Sequence, residues 1–255
     1  MKQSKIRIWL LIAISALLLF ISIQYIILSV VSVRRVFVAA NSAEIGTQID
    51  LNTKDSLWLE LYKQRNWLES RLKMAKSDSI YLSVNLQDST LQLEIKGVVL
   101  KTSSIAELSY DSFFDALPAK AYHHYFGQEA TGIQSLASID KVPLTIKKAP
   151  KDSIEFAAQS QITDTLETRE VNWLMKLDNG ILLKISGINE EQVHKNGKGS
   201  FWRKQKLQLV LNNLSKTLQF DVPEYNPSIE IMVNEADAKA IFRAIPEQPM
   251  VCIRM

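Results

Sequence analysis

Residues 8–33 run for 26 positions without a formal charge, and that stretch constrains the chain more than any other part of it. Only Ser15, Ser22, Gln24, Ser29 and Ser32 within it are distinctly polar. A hydrocarbon core of about 30 Å needs roughly 20 helical residues to cross, and a helix satisfies its own backbone hydrogen bonds inside lipid. The stretch therefore reads as one transmembrane helix. A buried helix of a soluble domain is rarely so long and so uncharged. A cleaved leader has an apolar region of about 7–15 residues, and here the small residues Ala39, Ala40 and Ala43 follow Arg34 and Arg35, an unusual setting for cleavage. An uncleaved signal anchor fits better. Lys2, Lys5, Arg7 and the terminal amine precede the span, and Arg34 and Arg35 follow it. That bias puts residues 1–7 in the cytoplasm as a short stub. The expectation is a single-pass protein of the cytoplasmic membrane, with the lipid bilayer as a partner and residues 77–255 on the extracytoplasmic side.

The remainder is long enough for one ordinary domain or two small ones. Its hydrophobic content, 47% of the whole chain, and its 22% of charged residues suit a folded chain. The net charge is only +3, and no basic, aromatic-interleaved patch stands out, which argues against nucleic acid as a partner. Cys252 is the sole cysteine, so no intrachain disulfide forms.

Residues 34–76 read as a linker followed by a juxtamembrane helix. Asn52 and Asp55 form a capping-box-like start, and Leu57, Leu61, Leu68 and Leu72 fall near one face at spacings of 4, 7 and 4. This row either packs on the domain or joins two copies as a short coiled coil, giving a homodimer. From Ser79 the period becomes two. Tyr81, Ser83 and Asn85 alternate with Leu82, Val84 and Leu86. Gln87-Asp88-Ser89 turns the chain into a second strand through Leu91, Leu93 and Ile95. A helix is expected over residues 110–117, stopped by Pro118. Strands are expected at 142–147, 153–159, 171–177, 181–186, 205–211, 216–222, 229–233 and 249–254. Asp178-Asn179-Gly180 is a strong hairpin turn, Asn196-Gly197-Lys198-Gly199 a basic loop, and Asn234 a cap for a helix over 235–244. The expected class is a mainly β, β-rich α+β domain behind a membrane helix and helical stalk.

Three segments carry a family resemblance. IEIMVNEADAKAIFRAIPEQPMVCIRM (residues 229–255) resembles the closing strand, helix, proline turn and last strand of L,D-transpeptidase catalytic domains. IYLSVNLQDSTLQLEIKGVVL is similar to the first hairpin of that family, and NWLMKLDNGILLKISG to the strand pair leading to its first catalytic histidine. The resemblance implies an L,D-transpeptidase-like fold whose nucleophile would be a cysteine in a Ser/Thr-His-Gly-Cys segment. Here that segment falls on Asn226-Pro227-Ser228-Ile229, and the earlier histidine falls on Ser186 before Gly187. Ser186 and Ile229 thus stand as degenerate catalytic positions. A thiolate needs a base or a positive field, and its acyl intermediate needs oxyanion donors; isoleucine supplies neither.

Other constellations offer little chemistry. Cys252 sits among apolar neighbours in MVCIRM and reads as a small buried hydrophobe. His123 and His124 are adjacent, a spacing that suits neither a one-face metal pair nor an HExxH site. His194 follows Glu190 and Glu191 in a loop-like stretch. No nucleophile elbow, phosphate-binding loop or dinucleotide fingerprint is present, and nothing singles out a carboxylate pair. No metal or cofactor is expected. Trp202-Arg203-Lys204, an aromatic-cation cluster after a Gly-rich loop, is a candidate for contact with glycan or an acidic partner, against the plainer reading of a domain-edge tryptophan beside solvated charges. The leading expectation is a non-catalytic envelope protein that binds or scaffolds at peptidoglycan or beside an envelope protein. An envelope enzyme that modifies peptidoglycan through an unrecognised site, and a structural subunit of an envelope machine, are the alternatives.

Overall fold

The computed structural model of the chain describes residues 2–42, 56–117, 119–141, 170–188 and 199–255. The strands expected at 142–147 and 153–159, the Asn52 cap, and His194 with Glu190 and Glu191 lie outside them.

Helix α1, Lys2–Ser42, carries a stretch Trp9–Ala40 of mean hydropathy 2.6. It is long and apolar enough to cross a membrane, and no part of its most apolar window is buried. The helix continues past Val33 into the segment read as linker. There Phe37 meets Phe113 edge-on at 6.3 Å, and Ala40 is buried in the domain core. Helix α2, Ser56–Met74, follows.

Nine strands form one mixed sheet among the described residues. They are β1 Tyr81–Asn85, β2 Thr90–Ile95, β3 Val98–Ser104, β4 Glu107–Tyr110, β5 Ala130–Ala137, β6 Asn172–Leu177, β7 Leu182–Ile188, β8 Ser228–Asn234 and β9 Met250–Arg254. Their order is β3-β2-β1-β9-β5-β6-β7-β8-β4. Pairs β1/β9 and β7/β8 are parallel and the rest antiparallel. Only Ile105 and Ala106 separate β3 from β4, yet those strands stand at opposite ends of the order. The three Cα–Cα steps from Ser104 to Glu107 reach at most about 11 Å, so the sheet curls until its ends approach each other. Strand β5 joins the halves: Ala130 and Thr131 pair with β9, and Gly132 onward pairs with β6 across a bulge. The curled sheet wraps one apolar core that mixes Leu82, Val84 and Leu91 from one half with Trp173, Ile185 and Ile231 from the other.

The expected hairpins form with the expected turns. Gly180 takes φ +88°, the left-handed region open to glycine, and the Ile181 amide donates to Asn179 Oδ1 at 3.2 Å. The closing element also forms. Helix α5, Glu235–Ala244, starts with the Ala236 amide donating to Asn234 Oδ1 at 3.0 Å.

Two further expectations are corrected. Residues 110–117 are not a helix: Phe113 and Phe114 turn inward to an aromatic cluster with Tyr125, and the helix α3, Ala119–Phe126, begins after Pro118 instead. Proline suits the first turn of a helix better than its end, because its missing N–H would be unpaired there anyway. The strands expected at 205–211 and 216–222 are replaced by one helix, α4, Ser200–Leu218. Its segment KLQLVLNNLSKTL alternates locally but also places Leu207, Leu211, Leu214 and Leu218 at helical spacing. It has few of the β-branched side chains that favour strands. Strands β3, β4 and β5 had no counterpart in the sequence reading.

Candidate functional site

In the parallel β7/β8 register Leu183 faces Ile229, and Ser186 faces Met232. Ile229 is fully buried and points into the core, with Leu183 and Ile185 beside it. Ser186 lies on the other face of the strand, where alternate residues of β7 are partly exposed. The two positions therefore do not converge on one cleft. Instead the Trp202 indole N–H donates at 3.0 Å to both Ser186 Oγ and Asn172 Oδ1, and Asn172 and Ser186 are direct partners across β6/β7. Trp202 is thus a strut that seats the start of α4 on the outer face of the sheet. Arg203 and Lys204, next to it, are exposed.

Gly187, the residue after Ser186, lets α5 lie close on β7. A Cβ there would stand 2.8 Å from the Glu235 Cα and 3.2 Å from the Ala238 Cβ.

The sulfur and the imidazoles are held apart from one another by different partners. Cys252 is buried with Trp67, Met74 and Tyr81, and its thiol donates to Ser83 Oγ at 3.4 Å. Burial pushes that thiol up to about 12, far from the range of a reactive thiolate. His123 Nδ1 shares a hydrogen bond with the Tyr62 hydroxyl at 3.0 Å. Burial, and then the neighbouring His124, hold its pKa below the usual histidine value. His124 is exposed and packs against Tyr125. Among the described residues no group of three or more His, Cys, Asp or Glu is placed to hold a metal ion.

The part of the surface with the clearest character is α2. Its face bearing Tyr62, Asn66, Trp67, Ser70 and Met74 is buried against the domain. Trp67 lies under two guanidinium groups, Arg71 at 4.6 Å and Arg254 at 5.7 Å from the ring centroid. Arg71 Nη2 also stands 2.9 Å from Glu94 Oε1, an ion pair whose angle is not that of a hydrogen bond. The other oxygen of Glu94 accepts from the Tyr81 hydroxyl at 3.1 Å. These contacts fix the rotation of the helix. The leucine row is left on the diametrically opposite side, with Leu61 54%, Leu68 49% and Leu72 65% exposed, and Gln64, Arg65 and Glu69 complete a shallow apolar trough. The leucines were legible in the sequence. The second face was not recognised there, although Tyr62, Asn66, Trp67, Ser70 and Met74 also share helical spacing.

No family model, no curated protein and no solved structure matches the chain.

Proposed function

We propose that the chain is a single-pass, membrane-anchored protein of the cell envelope whose domain is non-catalytic and scaffolds through α2, with a second copy of the same chain on the leucine row. The observation that carries this reading is the exposed row of Leu61, Leu68 and Leu72 on a helix locked to the domain by its other face. A row at heptad-like spacing is self-complementary, and the Arg65–Glu69 pair on its border can exchange partners across two copies. Anchoring by α1 would confine both copies to one plane and raise their effective concentration.

The non-catalytic part rests on side chains. The thiol is buried and neutral, and its hydrogen-bond partner is a serine. The order β8, α5, proline turn, β9 supports a scaffold similar to that of L,D-transpeptidases, and Ser186 and Ile229, on opposite faces of the sheet, supply no common reactive centre in it. A domain on the outer side of the cytoplasmic membrane would lie within reach of peptidoglycan.

The test uses the full chain in membranes. Leu61→Cys is expected to cross-link into a covalent dimer, while Leu61→Glu with Leu68→Glu is expected to run as a monomer. Absence of the cross-link, with an unchanged mass for the double variant, would remove the dimer. Formation of new cross-linked or cleaved products from muropeptides would remove the non-catalytic reading.

A further inference from the structure

Helix α4 contacts the rest of the protein mainly at its ends. Trp202 fixes its start to the sheet, and Thr217 is fully buried near its end. Between and beyond these, Leu207, Val210, Leu211, Leu214 and Leu218 form an exposed apolar stripe, with Gln205, Gln208, Asn212 and Lys216, and the single leucine Leu209, on the opposite side. The stripe lies away from α1, because the residues of α4 that lose exposure toward its end are Asn213, Lys216 and Thr217.

The height of α4 beside α1 says what covers this stripe. Gln24 Nε2 donates to the Thr217 carbonyl at 3.0 Å, and Ser32 Oγ donates to the Pro223 carbonyl at 2.6 Å. Ile21, Gln24, Tyr25, Leu28 and Ser32 lose exposure along one face of α1, while Ile26, Ile27 and Val30 stay exposed. At 1.5 Å per residue the uncharged stretch is about 39 Å long, and the hydrocarbon core is about 30 Å. At most about 9 Å is left over at the domain end, and Gln24 lies about 13 Å from Val33. Wherever the core falls within residues 8–33 of an upright helix, Gln24 is inside it, and so is the last turn of α4.

The backbone of that turn has its partners. The carbonyls of Asn213, Ser215, Lys216 and Thr217 each accept a hydrogen bond, from the Thr217 hydroxyl, the Gln219 amide, the Asp221 amide and Gln24 among others. Backbone groups in hydrocarbon need such partners. Phe220, just past the C-cap Gln219, takes φ +59°, a conformation that favours glycine or asparagine, and it is 74% exposed. An exposed phenylalanine ring gains free energy on passing from water into a bilayer.

We infer that α4 is a second membrane-contacting element, whose Leu214, Leu218 and Phe220 enter the acyl region of the leaflet on the domain side, next to α1. The inference rests on the reading that α1 spans the bilayer. Lys216 and Asp221 flank the tip and keep the insertion shallow, at the depth of an interfacial helix, about 5–10 Å. Lys216 reaches back to the headgroups along its alkyl stem.

The experiment is fluorescence quenching of the full chain in vesicles of phosphatidylethanolamine and phosphatidylglycerol. Single cysteines at Phe20, Asn212, Leu214 and Phe220 carry an environment-sensitive dye; buried Cys252 stays unlabelled. Nitroxide lipids labelled high on the acyl chain are expected to quench Leu214 and Phe220 about threefold more than Asn212, on the polar face of the same helix. Deep-labelled lipids are expected to quench Phe20. Equal, weak quenching at Leu214, Phe220 and Asn212 with Phe20 quenched overturns the inference and leaves the span intact. Lack of quenching at Phe20 overturns both. A disulfide between two copies at Leu214, without lipid quenching, assigns the stripe to a second chain and also overturns it.

Discussion

Arg71 and Glu94 show how one buried charge fixes a helix. Glu94 is completely buried, with Arg71 above it and the Tyr81 hydroxyl beside it. Removing only the cation leaves the carboxylate uncompensated, so Arg71→Ala is expected to cost about 3–5 kcal/mol in denaturant unfolding of the full protein. Glu94→Gln removes the charge with its shape kept and is expected to cost clearly less. The buried acids give the molecule an alkaline limit. Burial raises the Cys252 thiol from 9.0, and the Tyr122, Tyr125 and Tyr225 hydroxyls from 10.0, each to about 12. An unfolded chain would release these protons first. The stability they support is therefore intact below pH 9 and is lost as pH rises toward 12. Thermal unfolding followed across that range is expected to show the decline, and Cys252→Ala is expected to flatten its earliest part.

The elements of this protein are placed by faces that face something. On α2 the buried side is aromatic and hydrogen-bonding while the leucines look outward, and on α4 the stripe again turns away from the domain. Where an element must lie close, side-chain volume decides. Helix α5 approaches β7 over Gly187, and an added methyl would meet the Glu235 backbone at 2.8 Å. Gly187→Ala is expected to destabilise the domain by about 1–3 kcal/mol in chemical unfolding, because backbone cannot yield as a flexible side chain does. Ser186→Ala, one residue away on the outer face, loses only its hydrogen bond from Trp202, worth about 1 kcal/mol. The sequence reading treated Trp202, Arg203 and Lys204 as one cluster. A helical start at Ser200 separates them, since the indole is turned onto the sheet and the cations are exposed.

At the scale of the whole molecule, the curled sheet and α1 form one continuous body, because Phe37 and Ala40 enter the same core as Trp173 and Ile231. Some of this was readable residue by residue. The uncharged stretch, the Asp178-Asn179-Gly180 turn and the Asn234 cap each depend on contacts within a few residues, so composition and spacing alone determined the apolar part of α1, the β1/β2 and β6/β7 hairpins and the closing strand-helix-strand. The tertiary structure alone decided that KLQLVLNNLSKTL is a helix, that the leucines of α2 face outward, that β5 bridges two halves of the sheet, and that Ser186 and Ile229 lie on opposite faces. Periodicity names the residues that share a face but not the partner that covers it. That partner comes from elsewhere in the chain: Gln24 lies 193 residues from Thr217.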